Sequence, residues 1–138
     1  MKFLPEVIEN YAATFSSEED KVLKELNRET HSKVMLPQML SGHIQGNFLK
    51  MISYMHRPKR ILEIGTYTGY SAICFAQGLQ EDGKLYTIDI NAELEDMCRR
   101  YFEKAGLTNK IDYRIGNALD VIPEIDEKFD LVFIDADK

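Results

Sequence analysis

The stretch ILEIGTYTGYS, residues 61–71, joins a short apolar segment to a glycine-containing turn and then to a helical pattern. Its first residues predict a buried β-strand, with Glu63 as the one charged side chain. A turn between a strand and the first residues of a helix directs backbone N–H groups and the positive end of the helix dipole towards a ligand. The stretch therefore predicts an α/β fold with a binding site at the end of this strand.

The glycine pattern of the turn restricts the kind of ligand. Gly65 and Gly69 enclose Thr66, Tyr67 and Thr68, so the second glycine of the dinucleotide fingerprint G-x-G-x-x-G is absent. Side chains fill the path by which a pyrophosphate approaches the backbone, which disfavours NAD. The carboxylate of Glu63 repels phosphate and favours a cation. The pattern favours a nucleoside-like, positively charged ligand without phosphate.

The sequence on both sides of this stretch alternates strand and helix patterns from residue 58 onward. Strands are predicted at 61–65, 84–90, 111–116 and 130–136, and helices near 69–80, 92–105 and 118–122. Short strands rich in Ile, Leu and Val between amphipathic helices indicate a parallel sheet covered on both faces. Right-handed crossovers give the strand order 3-2-1-4. The predicted site lies where this order reverses, between strands 1 and 4.

The first 57 residues carry helical signals only. We predict one domain over 1–138, made of a helical segment, 1–57, and a cofactor-binding segment, 58–138. Ser16 and Glu19 predict a capping box before a helix. An apolar face with helical spacing is expected in the next helix, which Pro58 ends. The residues of this face are Ile44, Phe48, Ile52 and Met55.

Composition restricts the partners and the compartment. The 138 residues have a formal net charge of −6, which argues against nucleic acid as a partner. No stretch approaches the roughly 20 apolar residues that span a bilayer, and residues 1–20 lack the apolar core of a signal peptide. We expect a cytoplasmic protein without a membrane partner. Cys74 and Cys98 lie far apart and predict buried thiols.

Asp89 is the predicted ribose-binding residue. It ends the second strand, 24 positions after Gly65, where a carboxylate accepts hydrogen bonds from ribose hydroxyls. The alternative is an ordinary acidic residue stabilised by a helix dipole. For Thr66, Thr68 and Ser71, the alternative to ligand binding is turn and capping chemistry.

Several segments, taken in order and spacing, carry a resemblance to a known family. They are ILEIGTYTGYSA (61–72), YTIDI (86–90), AGL (105–107), IGNAL (115–119) and FDLVFIDADK (129–138). Residues 35–138 resemble the cation-dependent O-methyltransferases of the catechol and caffeoyl-CoA type. The resemblance implies a Rossmann-like methyltransferase fold and S-adenosylmethionine, a sulfonium cation that carries adenosine, as the cofactor.

The resemblance also implies the positions of the cofactor-binding residues. The methionine end of the cofactor is expected against Glu63, Gly65, Ser71 and the adjacent Thr66. Asp89 is expected at the ribose. Met39 and Ser41 resemble positions that close over the cofactor near its methyl group, although a methionine that fills a gap in the core is the alternative for Met39. The adenine is expected against Gly116, Asn117 and Ala118.

The residues after strand 4 imply the chemistry of transfer. A phenol with a pKa near 10 must lose its proton to accept a methyl group, and a divalent cation bound by oxygen ligands lowers the pKa of such a hydroxyl. Asp135 resembles the metal carboxylate of the family, and Lys138 its general base. Asp137 is a weaker candidate for a supporting contact. Mg²⁺ is the expected cation, with Mn²⁺ or Ca²⁺ as alternatives.

In the family, the other metal ligands follow a further strand that this sequence lacks. We therefore expect an incomplete domain that is truncated after strand 4 and is inactive alone if the metal is essential. Strand 4, with Leu131–Ile134 on an unpaired edge, predicts a homodimer or self-association through that edge. The predicted activity is methyl transfer to a catechol-like or other small aromatic hydroxyl substrate. A non-catalytic cofactor-binding fragment or dimerising module is the alternative. A third hypothesis, an NAD-dependent oxidoreductase, is supported by the strand order alone.

Overall fold

The structure is a computed structural model that describes residues 4–137. Its helices and strands alternate from β1 onward, as the sequence predicts. In chain order they are α1 (Glu6–Thr14), α2 (Lys21–Lys33), α3 (Gly42–His56), β1 (Arg60–Ile64), α4 (Tyr70–Ala76), β2 (Lys84–Asp89), α5 (Glu95–Lys104), β3 (Ile111–Ile115), α6 (Ala118–Val121) and β4 (Leu131–Ile134). Short 3₁₀ turns lie at Pro37–Met39, Ala92–Leu94 and Ile122–Glu124.

The sheet is parallel and has the order β3-β2-β1-β4, which confirms the predicted topology. β1 pairs with β2 from Arg60↔Lys84 to Ile64↔Ile88 and with β4 from Ile61↔Leu131 to Ile64↔Ile134. β4 ends at Ile134, two residues before the predicted end. Asp135 therefore follows the strand directly, at the edge where the site is expected.

The two faces of the sheet are covered to different extents. On one face, α2, α4 and α5 enclose a large core, whose fully buried members include Leu26, Ile73, Leu85 and Cys98. The opposite face carries a smaller cluster under the single turn of α6 and the 3₁₀ turn that follows it. That cluster consists of Leu62, Tyr86, Ile88, Val121 and Ile125. Both predicted thiols, Cys74 and Cys98, are free and buried.

Polar contacts join the N-terminal helices to the sheet layer. Glu29 on α2 accepts hydrogen bonds from the Arg100 guanidinium and the Tyr101 hydroxyl on α5. These bonds hold the pKa of Glu29 far below its usual range. Nearby, the buried Thr30 hydroxyl is 3.2 Å from that of Thr68, in the loop after β1. The helical segment is thus anchored close to the predicted site.

The predicted capping box at Ser16 and Glu19 is wrong. The Ser16 hydroxyl donates to the carbonyl of Ala12, 2.6 Å away, and so stabilises the end of α1 instead. Glu19 accepts a hydrogen bond from the Tyr70 hydroxyl on α4, and α2 begins only after Asp20. A tertiary contact to Tyr70 thus replaces the local cap.

The helix α3 packs through Gly46, Leu49 and Ser53 rather than through its predicted apolar face. A Cβ atom added to Gly46 would lie 2.6 Å from the Tyr70 ring, and the Ser53 hydroxyl donates to the carbonyl of Phe75, 2.6 Å away. This close approach leaves Ile44, Phe48 and Met55 of the predicted apolar face exposed. The helix ends at His56, before Pro58, as predicted.

Asp130 fixes the first residues of β4 against β1. One oxygen of its carboxylate accepts the backbone N–H groups of Lys59 and Arg60, at 2.8 and 3.0 Å. These bonds lower the pKa of Asp130. A charge-assisted pair of this kind sets the register of a strand that is otherwise paired on one side only.

Candidate functional site

Backbone hydrogen bonds bring three loops to one edge of the sheet. Gly65 N–H donates to the carbonyl of Ile88, Gly116 N–H to that of Asp89, and Asp135 N–H to that of Ile64, all at 2.8–2.9 Å. Each bond extends a strand pair by one residue. The predicted site residues after β1, β2, β3 and β4 therefore lie beside one another at the carboxyl ends of the strands.

Two features of the structure require glycine at position 65: the backbone conformation of the loop and the close approach of Asp135. The φ of 103° at Gly65 lies in the region that favours glycine, and an added Cβ would collide with the backbone carbonyl of Asp135. The glycine thus permits the residue after β4 to approach the residue after β1. A side chain here would displace Asp135, which the sequence predicts as the metal ligand.

Tyr67 links three parts of the site, a role that the sequence did not suggest. It has a left-handed backbone conformation with φ 51°, which is uncommon for a bulky residue. Its N–H donates to the Asp89 carboxylate at 2.8 Å, and its carbonyl accepts from the Cys98 thiol at 3.1 Å. Its hydroxyl lies 3.0 Å from the carbonyls of both Met35 and Leu36, to which it donates. Such backbone strain is commonly stored at functional sites.

Glu63 is fully buried beneath the loop. One of its oxygens accepts from the Ser71 hydroxyl at 2.6 Å and the other from the Thr87 hydroxyl at 2.7 Å. The Thr87 hydroxyl in turn lies 2.6 Å from that of Thr66. These hydrogen bonds join Glu63, Thr66 and Ser71 into one network beneath the loop. Their predicted contacts with a ligand stay predictions.

Burial raises the pKa of Glu63 from 4.5 to about 7, against the opposing effect of the Ser71 and Thr87 hydrogen bonds. The negative charges of Asp135 and Asp89 raise this pKa further. Three carboxyl groups thus lie at or beneath one edge of the sheet. A cation bound there would relieve their mutual repulsion, whereas a phosphate would increase it.

Asp89 is half-buried, and its carboxylate also organises the backbone. One oxygen accepts the N–H of Tyr67 and the other accepts the N–H of Asn91 at 2.9 Å. Each oxygen can accept a second hydrogen bond, since a carboxylate has about four acceptor positions. The predicted ribose contact stays a prediction that this geometry permits.

The loops after β2 and β3 present apolar side chains that the sequence analysis did not select. Ile90, directly after Asp89, is 74% exposed, and Leu119 is 81% exposed. Asn117 accepts the N–H of Leu119 at 2.9 Å and so begins α6, next to Gly116 and Ala118. The sequence signal that could have identified these two residues is a large apolar side chain next to each predicted ligand-binding segment.

Met39 and Ser41 lie in the segment 34–41, which the Tyr67 hydroxyl holds near the loop. Met39 is exposed on a 3₁₀ turn and does not fill a gap in the core. Ser41 precedes α3 without capping it through its side chain. Their contacts with a cofactor stay predictions.

The described residues do not form a metal site by themselves. Within residues 4–137, no group of three His, Cys, Asp or Glu side chains is placed to hold a metal ion. Asp135 and Asp137 are exposed after β4. Lys138, the predicted general base, lies outside the described residues. In the same range, no helix is long and apolar enough to cross a membrane.

Comparisons with known proteins identify the class of this chain. A family model described as O-methyltransferase matches residues 13–138. The chain therefore belongs to the O-methyltransferase family, as the sequence motifs imply. The caffeoyl-CoA O-methyltransferase 1 of Arabidopsis thaliana is 42% identical over 126 residues, covering 87% of this chain. The catechol O-methyltransferase of Niastella koreensis is 31% identical over 137 residues, covering 96%.

A solved structure supports the fold. The O-methyltransferase TomG of Streptomyces achromogenes, in complex with S-adenosylmethionine, superposes with a TM-score of 0.88 and 32% identity over 96% of this chain. The chain spans only part of these proteins: 48% of the Arabidopsis relative, 62% of the Niastella relative and 60% of TomG.

Proposed function

We propose that this chain forms the S-adenosylmethionine-binding part of an O-methyltransferase that acts on a catechol-like or other small aromatic hydroxyl. The observation that carries the proposal is the convergence of Asp89 and Asp135 on a loop in which Tyr67 is held by hydrogen bonds at both its backbone and its hydroxyl. A pyrophosphate would meet these carboxylates and a blocked backbone. A sulfonium that carries an ammonium group meets favourable charges.

The ends of the strands provide matching surfaces for such a cofactor. The Asp89 oxygens have capacity for the two ribose hydroxyls. Ile90 and Leu119 offer exposed apolar surface to a planar base, next to the predicted adenine residues Gly116, Asn117 and Ala118. Glu63 lies below the loop, where it accepts hydrogen bonds from Ser71 and Thr87, and a bound cation would favour its ionised form.

The reaction is an in-line displacement. The acceptor oxygen forms a bond to the methyl carbon while the carbon–sulfur bond breaks, and the sulfonium becomes a neutral thioether. The hydroxyl proton passes to a base, for which Lys138 is our candidate. The backbone hydrogen bond from Asp135 to Ile64 holds Asp135 next to Gly65. The predicted residues for the methyl acceptor and for the cofactor are therefore adjacent at this point of the sheet.

Assistance by a divalent cation is the finer part of the proposal, with Mg²⁺ as the first choice. Its support is the exposed carboxylate of Asp135 at the predicted position and the family resemblance. Residues 4–137 do not bring together the ligands that a metal needs. Further oxygen ligands would have to come from outside this range, so no step of the transfer is assigned to the metal.

Two measurements test the proposal. Calorimetry with S-adenosylhomocysteine and with NADH should show binding of the first alone, and NADH binding would contradict the assignment. Transfer of a labelled methyl group to small catechols, with magnesium or with chelator, tests catalysis in a chain extended to the length of its relatives. Binding without transfer would favour the non-catalytic alternative. Asp135→Asn is the matched variant: we expect lost metal-dependent transfer with unchanged S-adenosylhomocysteine affinity.

A further inference from the structure

A buried pair of hydroxyl groups joins α2 to the loop after β1. Thr30, in the last turn of α2, and Thr68, in the loop, are both completely buried, and their hydroxyl oxygens lie 3.2 Å apart. The Thr30 hydroxyl also bonds the carbonyl of Leu26, 2.8 Å away. Loss of the Thr30 hydroxyl would take a hydrogen-bond partner from Thr68 in the protein interior, where an unpaired polar group is costly.

The chain that follows α2 returns to the same loop. The Tyr67 hydroxyl lies 3.0 Å from the carbonyls of both Met35 and Leu36. Leu36 and Tyr67 both have left-handed backbone conformations, with φ 57° and 51°, and such conformations cost free energy in side chains of this size. Residues 30–36, called here the α2 clamp, thus contact two successive residues of the loop, Tyr67 and Thr68.

The α2 clamp is itself fixed to α5. Glu29, directly before the clamp, accepts hydrogen bonds from Arg100 and Tyr101 of α5. The same helix carries Cys98, whose thiol donates to the carbonyl of Tyr67 at 3.1 Å. The clamp and α5 therefore hold the loop together, and the clamp supplies the contacts to the Tyr67 and Thr68 side chains.

We propose that the α2 clamp holds the loop after β1 in the conformation that binds the cofactor, and that Thr30 is a positioning residue that acts through Thr68. This inference rests on the proposed function, because it assumes that the loop binds S-adenosylmethionine. In the clamped conformation the Tyr67 N–H donates to Asp89, the predicted ribose-binding residue. A loop released from the clamp would populate other conformations, and the apparent affinity for the cofactor falls with the fraction of loops that can bind it.

Thr30→Val tests the clamp, because valine keeps the shape of threonine without its hydroxyl. Calorimetry with S-adenosylhomocysteine should give a dissociation constant at least about threefold higher than that of the parent protein. Thr30→Ser keeps the hydroxyl and removes only a methyl group, so this variant should bind as the parent protein does. The matched control is Thr14→Val on α1. The exposed Thr14 hydroxyl also donates to the carbonyl four residues earlier, at 2.7 Å, and its loss should leave the affinity unchanged.

Amide hydrogen exchange tests the clamp without a ligand. The N–H groups of Tyr67 and Gly69 bond the Asp89 carboxylate and the Thr66 carbonyl. In Thr30→Val, exchange at these two amides should accelerate about tenfold more than exchange in β2. Unchanged exchange in the loop would overturn the proposal. An equal acceleration in the loop and in β2 would also overturn it, because that result indicates a general loss of stability.

The two measurements separate this inference from the function on which it rests. If the parent protein does not bind S-adenosylhomocysteine, the proposed function fails, and the exchange rates still decide whether the clamp holds the loop. If the parent protein binds and Thr30→Val binds within about threefold of it, the positioning role of Thr30 is refuted. Thr68→Val removes the same hydrogen bond from the loop side and repeats both tests, and circular dichroism establishes that each compared variant is folded.

Discussion

Replacing Glu63 by Gln should stabilise the protein at alkaline pH and not at acidic pH. The folded protein holds the Glu63 proton with a pKa of about 7, against 4.5 without burial. The folded state thus binds this proton more tightly than the unfolded state. The stabilising contribution is complete below pH 4.5 and is lost as the pH rises through 7. A glutamine side chain has the shape of the protonated carboxyl, and of the two hydroxyls of Ser71 and Thr87 one can donate to its amide oxygen while the other rotates to accept its N–H bond.

The size of the effect follows from the shift in pKa. The full difference corresponds to about 3 kcal/mol of unfolding free energy, of which about 2 kcal/mol is lost between pH 5 and pH 8. We expect the Glu63→Gln variant to gain that amount over the parent protein across this range. Urea unfolding at pH 5, 6, 7 and 8 measures it. The quantity of interest is the difference between the two curves, because other groups titrate in both proteins.

An exposed carboxylate supplies the control. Glu93→Gln removes the same charge from a side chain on the surface, and its curve should run parallel to that of the parent protein. If Glu63→Gln also ran parallel, then Glu63 would be ionised throughout, and our description of a buried carboxyl that titrates near neutral pH would be wrong.

Three further substitutions test the loop after β1. Asp89→Ala should weaken S-adenosylhomocysteine binding by roughly 1–3 kcal/mol in calorimetry, and unchanged affinity in a folded variant would remove the ribose role. Tyr67→Phe should lower the unfolding free energy by roughly 0.5–1.5 kcal/mol and speed amide exchange in 34–41, whereas unchanged exchange would contradict the hydroxyl contact. Gly65→Ala should cost more than about 2 kcal/mol, because strain and the Asp135 collision add, while Gly42→Ala, with φ 78° and open space, should cost about 1 kcal/mol.

The sheet could be predicted because its signals are local. Each strand is a short apolar run between turn residues, and the handedness of the crossovers then determines the strand order. Local residues also mark the ends of the elements after β2: Asn91 caps the turn before α5, and Gly106 follows that helix with φ 70°.

The N-terminal helices could not be placed from the sequence, because their packing depends on distant partners. Glu19 bonds Tyr70, 51 residues away, rather than capping its own helix. The small residues Gly46 and Ser53 bring α3 against α4, so the apolar stripe that predicted burial lies outside. Periodicity reveals that a helix has two faces but does not reveal which one the core takes.

The candidate site residues were selected by motif, and their contacts within the protein could not be predicted. Tyr67 was recognised only as an obstacle to pyrophosphate, because its left-handed backbone and its bonds to Asp89, Met35 and Leu36 are tertiary features. Glu63 is expected at the ligand, which stays a prediction, and the sequence did not indicate its full burial or its hydrogen bonds to two hydroxyls. A single carboxylate in a sequence carries no information on whether it faces solvent.

The pairing of β4 with β1 has a consequence for the order of folding. Asp130 accepts the N–H of Arg60 across 70 residues, whereas Glu63 and Thr87 are 24 residues apart. Closing the longer loop costs roughly 4 kcal/mol of chain entropy in total, which is more than closing the shorter loop costs. This cost precedes the stabilising contacts that the closed loop makes. We expect β1, α4 and β2 to assemble first and β4 to dock late. A molecule caught between these events would have Asp89, the predicted ribose-binding residue, in place while Asp135 was still unattached, so the two halves of the proposed site would form at different times.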